Sequence, residues 1–158
     1  MGISCSILFR KSSNKSVTEL YNTIKNICIS NHFYLDISTK NVDGNQKIKS
    51  IYSNISDVPF TYGVMRQLCV SLFDEPYQFK DISFDWYNQK VIFFEAIVID
   101  NIEDNEDLLL KITYELLSKY PEAVLWLEQN WFYKLDDIKK YILNEFDPNW
   151  CYQNPHES

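Results

Sequence analysis

Glu95 is the only polar side chain from Val91 to Ile99; every other residue in that run is apolar. A carboxylate among apolar neighbours has its ionised form disfavoured, which is how a general acid is made at neutral pH. Catalysis also demands a second polar group at the same spot. Asp85 and Ser83 are near in sequence, but in the hairpin register expected below they project to the opposite face. The other readings of Glu95 are an ion pair with a cation from another strand, such as Arg66, or a place where the sheet face opens to solvent.

Nucleophile and metal chemistry have little to draw on. The histidines are His32 and His156, and the cysteines are Cys5, Cys28, Cys69 and Cys151. They form no C-x-x-C pair and show no zinc spacing. Cys5, Cys28 and Cys69 lie among apolar neighbours, which suits buried, reduced thiols in a cytoplasmic protein. Cys28, the cysteine closest to His32, falls on a helix's apolar stripe, so packing is its expected role. Gly2, Gly44 and Gly63 stand alone, leaving no phosphate-cradling loop of the Walker or Rossmann kind. No cofactor and no metal is expected.

Two stretches suit binding. Met1-Gly2-Ile3-Ser4-Cys5-Ser6 matches the M-G-x-x-x-[ST] pattern of N-myristoylation. Cys5 would supply a second acyl site, and Arg10, Lys11 and Lys15 a basic patch; stable anchoring takes two such signals. Ile3, Cys5, Ile7 and Phe9 also alternate as a strand, and a strand role for Cys5, without a membrane, is the expectation. The other stretch is Asp100 to Asp107. Its carboxylates are Asp100, Glu103, Asp104, Glu106 and Asp107, with no Lys or Arg among them. Such a run either caps a helix in solvent or meets a basic partner. Aromatic anchors for that contact are expected at Trp131, Tyr133 and Trp150.

The net charge of −7 and pI near 4.8 argue against a general nucleic-acid binder, which needs a Lys/Arg surface. No run approaches the ~18 apolar residues of a spanning helix.

The elements that must position these residues can be read in order. Ile3 to Phe9 reads as a strand. Ser16 to Ser30 reads as a helix, with Ser16 and Glu19 as a capping box and Leu20, Ile24, Ile27 and Cys28 as its apolar stripe. Phe33, Leu35 and Ile37 alternate as a half-buried strand. Residues 38–46 are polar, with a turn at Asp43-Gly44. Ile48 to Ile55 fits helix or strand. Val64 to Phe73 reads as a strand with Arg66, Leu68, Val70 and Leu72 on one side, closed by a turn at Asp74-Glu75-Pro76.

Both alternate faces of Val91 to Ile99 are apolar, which places that strand centrally. Its expected partner is Ile82 to Trp86, joined through Asn88-Gln89, with Phe84 opposite Phe93 and Ile82 opposite Glu95. A second helix follows the acidic run, burying Leu109, Ile112, Leu116 and Tyr120 and ending at Pro121. Ala123 to Leu127 suits a strand. A third helix follows Asp136, carries Ile138, Ile142 and Phe146, and closes at Asp147-Pro148. The tail from about 149 is irregular. The sum is a single α+β domain over 1–158: a mostly antiparallel sheet with a central hairpin (about 82–99), flanked by about three helices.

In size, acidity, layout and the acidic and aromatic segments Asp100 to Asp107 and Trp126 to Asp137, the chain resembles the small acidic immunity proteins that bacteria carry against contact-dependent or polymorphic toxins. The resemblance spans the whole chain and implies a cytoplasmic, non-catalytic protein that binds one cognate toxin, here a basic toxin domain, and blocks it. The competing functions are a lipid-anchored peripheral protein using Gly2 and Cys5, and an enzyme built around Glu95.

Overall fold

A computed structural model of the chain describes residues 3–13, 15–60, 66–74, 81–87 and 90–156. The fold is α+β, with a mostly antiparallel sheet. Its strands are β1 (Cys5–Arg10), β2 (Tyr34–Val42), β3 (Ile48–Ser56), β4 (Leu68–Phe73), β5 (Asp81–Ile82), β6 (Phe93–Asp100) and β7 (Val124–Trp126). The helices are α1 (Val17–Asn31), α2 (Glu106–Lys119) and α3 (Leu135–Leu143). The strand order is β2-β3-β4-β6-β1-β7, and β5 also pairs with β6.

The apolar run is the central strand, as its two-faced pattern requires. β1 lies along one edge of β6, and β4 and β5 share the other. The hairpin register differs from expectation. Ile82 opposes Phe93 and Asp81 opposes Phe94, so Ile82 does not face Glu95. β5 is only two residues long, because Tyr87 N–H bonds back to Phe84 O and turns the chain. Phe84 still reaches Phe93, with ring centroids 6.1 Å apart. The expected turn residues Asn88 and Gln89 lie outside the described residues, as do Val64 at the start of the expected strand Val64 to Phe73 and Glu75-Pro76.

A bulge decides which face each side chain of β6 takes. Ile7 pairs with Ile97 but Leu8 pairs with Glu95, so Ala96 is the extra residue. One extra residue reverses the alternation beyond it. Phe94, not Phe93, therefore shares a face with Ile97 and Ile99. That face joins Cys5, Ile7 and Phe9 of β1, Val70 and Leu72 of β4, and Ile51 and Ile55 of β3 in the main core.

Helices cover this face. α1 packs on β2, β3 and β4 and against α2, and α3 packs on α2. Ser16 caps α1 by accepting from Glu19 N–H at 3.1 Å. The reciprocal half of the capping box is replaced, since the Glu19 carboxylate accepts from Tyr120 O–H. Asn31 is the last residue of α1; the stop is His32, at φ 58°. On α2, Leu109, Ile112 and Leu116 are buried as their spacing requires.

Other boundaries moved for local reasons. β2 runs on through 38–42, absorbing Ser38 as a bulge whose Oγ donates to Tyr52 O. The ambiguous segment Ile48 to Ile55 is strand β3, because it has β-strand partners on both sides. α3 stops at Leu143, which leaves Phe146 outside it and exposed. The tail is not merely irregular: Trp150–Tyr152 forms a 3₁₀ turn that buries Trp150 and Cys151.

Candidate functional site

Among the described residues, the helices pack on the first face of the sheet and none contributes to the small core on the second. By register the second face carries Ser6 and Leu8 of β1, Phe93, Glu95, Val98 and Asp100 of β6, Cys69 and Ser71 of β4, and Tyr52 and Asn54 of β3. Its two ends differ. At the start of β6, Leu8, Phe84, Phe93, Val124 and Phe132 form a second small core. Phe132 is its hub, 5.3 Å from Phe93 and 5.0 Å from Phe84 between ring centroids. Towards the other end, Glu95, Val98, Asp100, Cys69, Ser71, Tyr52 and Asn54 are all half-buried, as on a sheet face open to solvent.

Glu95 stands where the covered part meets the open part. Ser6 Oγ donates to Glu95 Oε1 at 2.8 Å. Ser6 is the second polar group that the sequence did not identify. Its position depends on the β1–β6 pairing and the bulge, both long-range, and the alternation of β1 was the only available signal. Arg66 is not the partner of Glu95. It forms ion pairs with Asp57 at 2.5 Å and Asp107 at 2.8 Å. No cation pairs with Glu95 among the described residues. Here a half-buried carboxylate accepts from a buried serine; a nucleophile or a proton relay would need a third group beside them.

Beyond Asp100 the chain enters the acidic run, which the fold splits. Ile102 is fully buried, and Asn105 nearly so. Asn105 Nδ2 donates to Asn101 O at 2.8 Å, and Asn101 Nδ2 donates to Gln67 O at 2.7 Å. Asn101 and Asp104 take left-handed backbone conformations, φ 67° and 65°, which Asn and Asp tolerate better than most residues. The loop is thus pinned to the segment leading into β4. Glu103 and Asp104 are exposed on it.

The other three carboxylates are engaged. Asp100 accepts from Ser4 Oγ. Glu106 Oε2 accepts from Tyr152 O–H at 2.7 Å. Asp107 meets the Arg66 fork through both oxygens, each at 2.8 Å. For Asp107, burial alone would raise the pKa, but the hydrogen bonds and charge of Arg66 hold it below the usual carboxylate range. Hydrogen bonding to Arg66 lowers Asp57 likewise. The same two carboxylates, Asp57 foremost, push the Arg66 pKa up.

This three-membered clamp ties the β3–β4 connection to the start of α2. Both carboxylates are depressed on folding, so their contribution is present above the unfolded pKa near 3.9 and is lost as pH falls through the folded values. Because the groups are about a third exposed or more, each pair contributes only about 0.2–1 kcal/mol. Arg66→Gln should therefore lower stability by a constant small amount above about pH 4. The difference should shrink on further acidification, measured by urea denaturation at stepped pH. A difference that grows on acidification would contradict the assignment.

Two of the three expected aromatic anchors are not on the surface. Tyr133 and Trp150 are fully buried and Trp131 is half-buried. Tyr133, Tyr141 and Trp150 pack ring on ring, with Trp150 5.7 Å from each of the other two. Burial pushes the Tyr133 hydroxyl pKa up, and its O–H donates to Gln153 O at 2.5 Å. A side chain with no exposed area offers nothing to a partner, so Tyr133 and Trp150 anchor the fold. Exposed aromatics among the described residues include Phe146 and Trp86, the latter placed by the sequence within a strand.

Cys5 is a buried strand residue, 2% exposed. Burial pushes its thiol pKa well up, and burial raises Cys28 to about 11 and Cys151 to about 12. All four thiols are free. Gly2 lies outside the described residues. Among the described residues, no group of three or more His, Cys, Asp and Glu is arranged to hold a metal ion. No helix among them is long and apolar enough to cross a membrane. Comparisons with protein-family models, curated proteins and solved structures returned no match.

Proposed function

We propose that the chain is a non-catalytic binding protein, an immunity-type inhibitor that docks a basic toxin domain on the open, acidic end of its sheet. One observation carries the reading. Glu95 and Asp100 lie on the second sheet face, Glu103 and Asp104 flank it on a pinned loop, and no ion pair to any of the four occurs among the described residues. A face rich in unneutralised carboxylates fits a partner rich in Lys and Arg, and such complementarity speeds encounter and selects the partner. The pinned loop adds preorganisation, so little ordering entropy is lost on docking. The lipid-anchored alternative is weakened, because an acyl chain on Cys5 would have to leave the core.

The test begins with partners captured from the source cell and identified by mass spectrometry. Each is then expressed alone and together with this chain in a naive host. The reading requires a partner that is toxic alone and harmless when co-expressed. Glu103→Gln combined with Asp104→Asn should slow its association about tenfold or more at low ionic strength. Raising salt to about 0.15 M, where the Debye length is about 8 Å, should slow the wild type in the same way. Glu106→Gln with Asp107→Asn should lower stability instead, since those carboxylates hold Tyr152 and Arg66. A captured partner that is not toxic, or an on-rate indifferent to both salt and the first pair, would overturn the proposal.

A further inference from the structure

The basic patch noted at Arg10, Lys11 and Lys15 is absorbed neither by the proposed inhibitor surface nor by the core. Arg10, Lys11 and Lys90 line one cleft of about 560 Å³, together with Ser12, Val91 and Ile92. Lys15 and Lys119 line a second cleft of about 390 Å³, together with Ser13 and the acidic Glu122. A third of the fifteen Lys and Arg residues thus gather at one end of a chain whose net charge is −7. This end is remote from the acidic one. Arg10 opposes Phe93, at the start of β6, and Asp100 is at its finish. Seven strand steps place the two ends roughly 23 Å apart. At physiological salt that is more than two Debye lengths, so neither end neutralises the other.

We propose that the larger cleft is a binding site for a small phosphorylated molecule. It is an open surface cleft, within reach of a solvated anion. Arg10 offers a planar fork that matches phosphate oxygens, Lys11 and Lys90 add point charges, and Ser12 a hydroxyl. Val91 and Ile92 supply an apolar wall, and Ile92 is 45% exposed there, suited to the carbon part of such a ligand. Lys11 and Lys90 both already have partners, one of them Asp81, whose carboxylate is 2.5 Å from Lys11 Nζ. That pair is 43% and 46% exposed, so it is weak and exchangeable. A compact anion fits the pole better than a nucleic acid, whose extended charge would also meet the acidic remainder of the surface.

Titration calorimetry with inorganic tripolyphosphate at low ionic strength tests the site on the full chain. One saturable site is expected. Arg10→Gln and Lys90→Gln should each weaken it roughly tenfold, the loss of one charge-assisted contact. Both positions are exposed, so the variants should keep the wild-type circular dichroism spectrum. Lys25→Gln combined with Lys140→Gln removes two exposed charges on α1 and α3 and should leave binding unchanged. Absence of saturable binding overturns the proposal, as does equal weakening by the α1/α3 control. Binding to phosphatidylserine vesicles that Arg10→Gln abolishes, without binding of tripolyphosphate, assigns the cleft to a membrane surface and also overturns it.

Discussion

Trp150→Ala should destabilise the chain by about 3–5 kcal/mol, the range for emptying a buried tryptophan site. Trp150 is fully buried and closes the C-terminal turn over α2. Its Nε1–H donates to Glu106 O at 2.9 Å, using a carbonyl in the first turn of α2. Its ring is packed by Tyr133 and Tyr141. The substitution removes this packing, leaves a cavity and frees the turn that positions Tyr152 on Glu106. Equilibrium urea denaturation followed by far-UV circular dichroism measures the loss. The same variant separates the two roles Trp150 can have. As a core residue it should lower the denaturation midpoint and leave a partner's affinity intact at low temperature, where the fold persists. A variant of wild-type stability with lost affinity would return Trp150 to the interface that the sequence suggested.

That reversal shows where sequence reading stops. Local patterns carried the elements whose cause is local. The alternation of Cys5, Ile7 and Phe9, the Ser16 cap, the stripe of Leu109, Ile112 and Leu116, and the two-faced run of β6 all depend on neighbours within a few residues. The functional surface depends on pairings between residues far apart. Nothing near Arg66 in sequence says that it will fork between Asp57 and Asp107. The acidic run looked uniform because charge counts do not show that Ile102 and Asn105 turn inward and divide it. Ser6 could be placed beside Glu95 only once the Ala96 bulge was known, since that residue sets which side chains share a face.

The aromatics misled for a related reason. Trp131, Tyr133 and Trp150 stand in an acidic and aromatic part of the sequence, and so they read as interface. The chain instead buries aromatics in two places. One is the main core itself, which takes in Tyr133 and Trp150 with Tyr141 packed against them. The other is the small core that Phe84, Phe93 and Phe132 form on the second sheet face.

Phe93→Ala tests that second core and should also cost about 3–5 kcal/mol in urea denaturation. Phe93 is 1% exposed and its ring meets Phe132, Tyr87 and Phe84 at 5.3, 5.8 and 6.1 Å. Those contacts hold residues 81–87 on the sheet, because β5 itself supplies only two paired positions. In hydrogen exchange, the amides of Ile82 and Tyr87 should therefore open locally in the variant, while the interior of α1 continues to report global unfolding. A loss below about 1 kcal/mol would mean that Phe84 and Phe132 repack into the vacancy, and that the cluster is not a cooperative unit. The acidic loop gives an independent control. Glu103 and Asp104 follow the far end of β6, roughly 23 Å away along the strand, and share no partner with Phe93. Sites so separated behave additively, so Phe93→Ala should leave the salt-dependent association rate of a basic partner unchanged. A changed rate would mean that the covered end of the sheet takes part in docking, and the interface would then extend over Trp86 as well as the carboxylates.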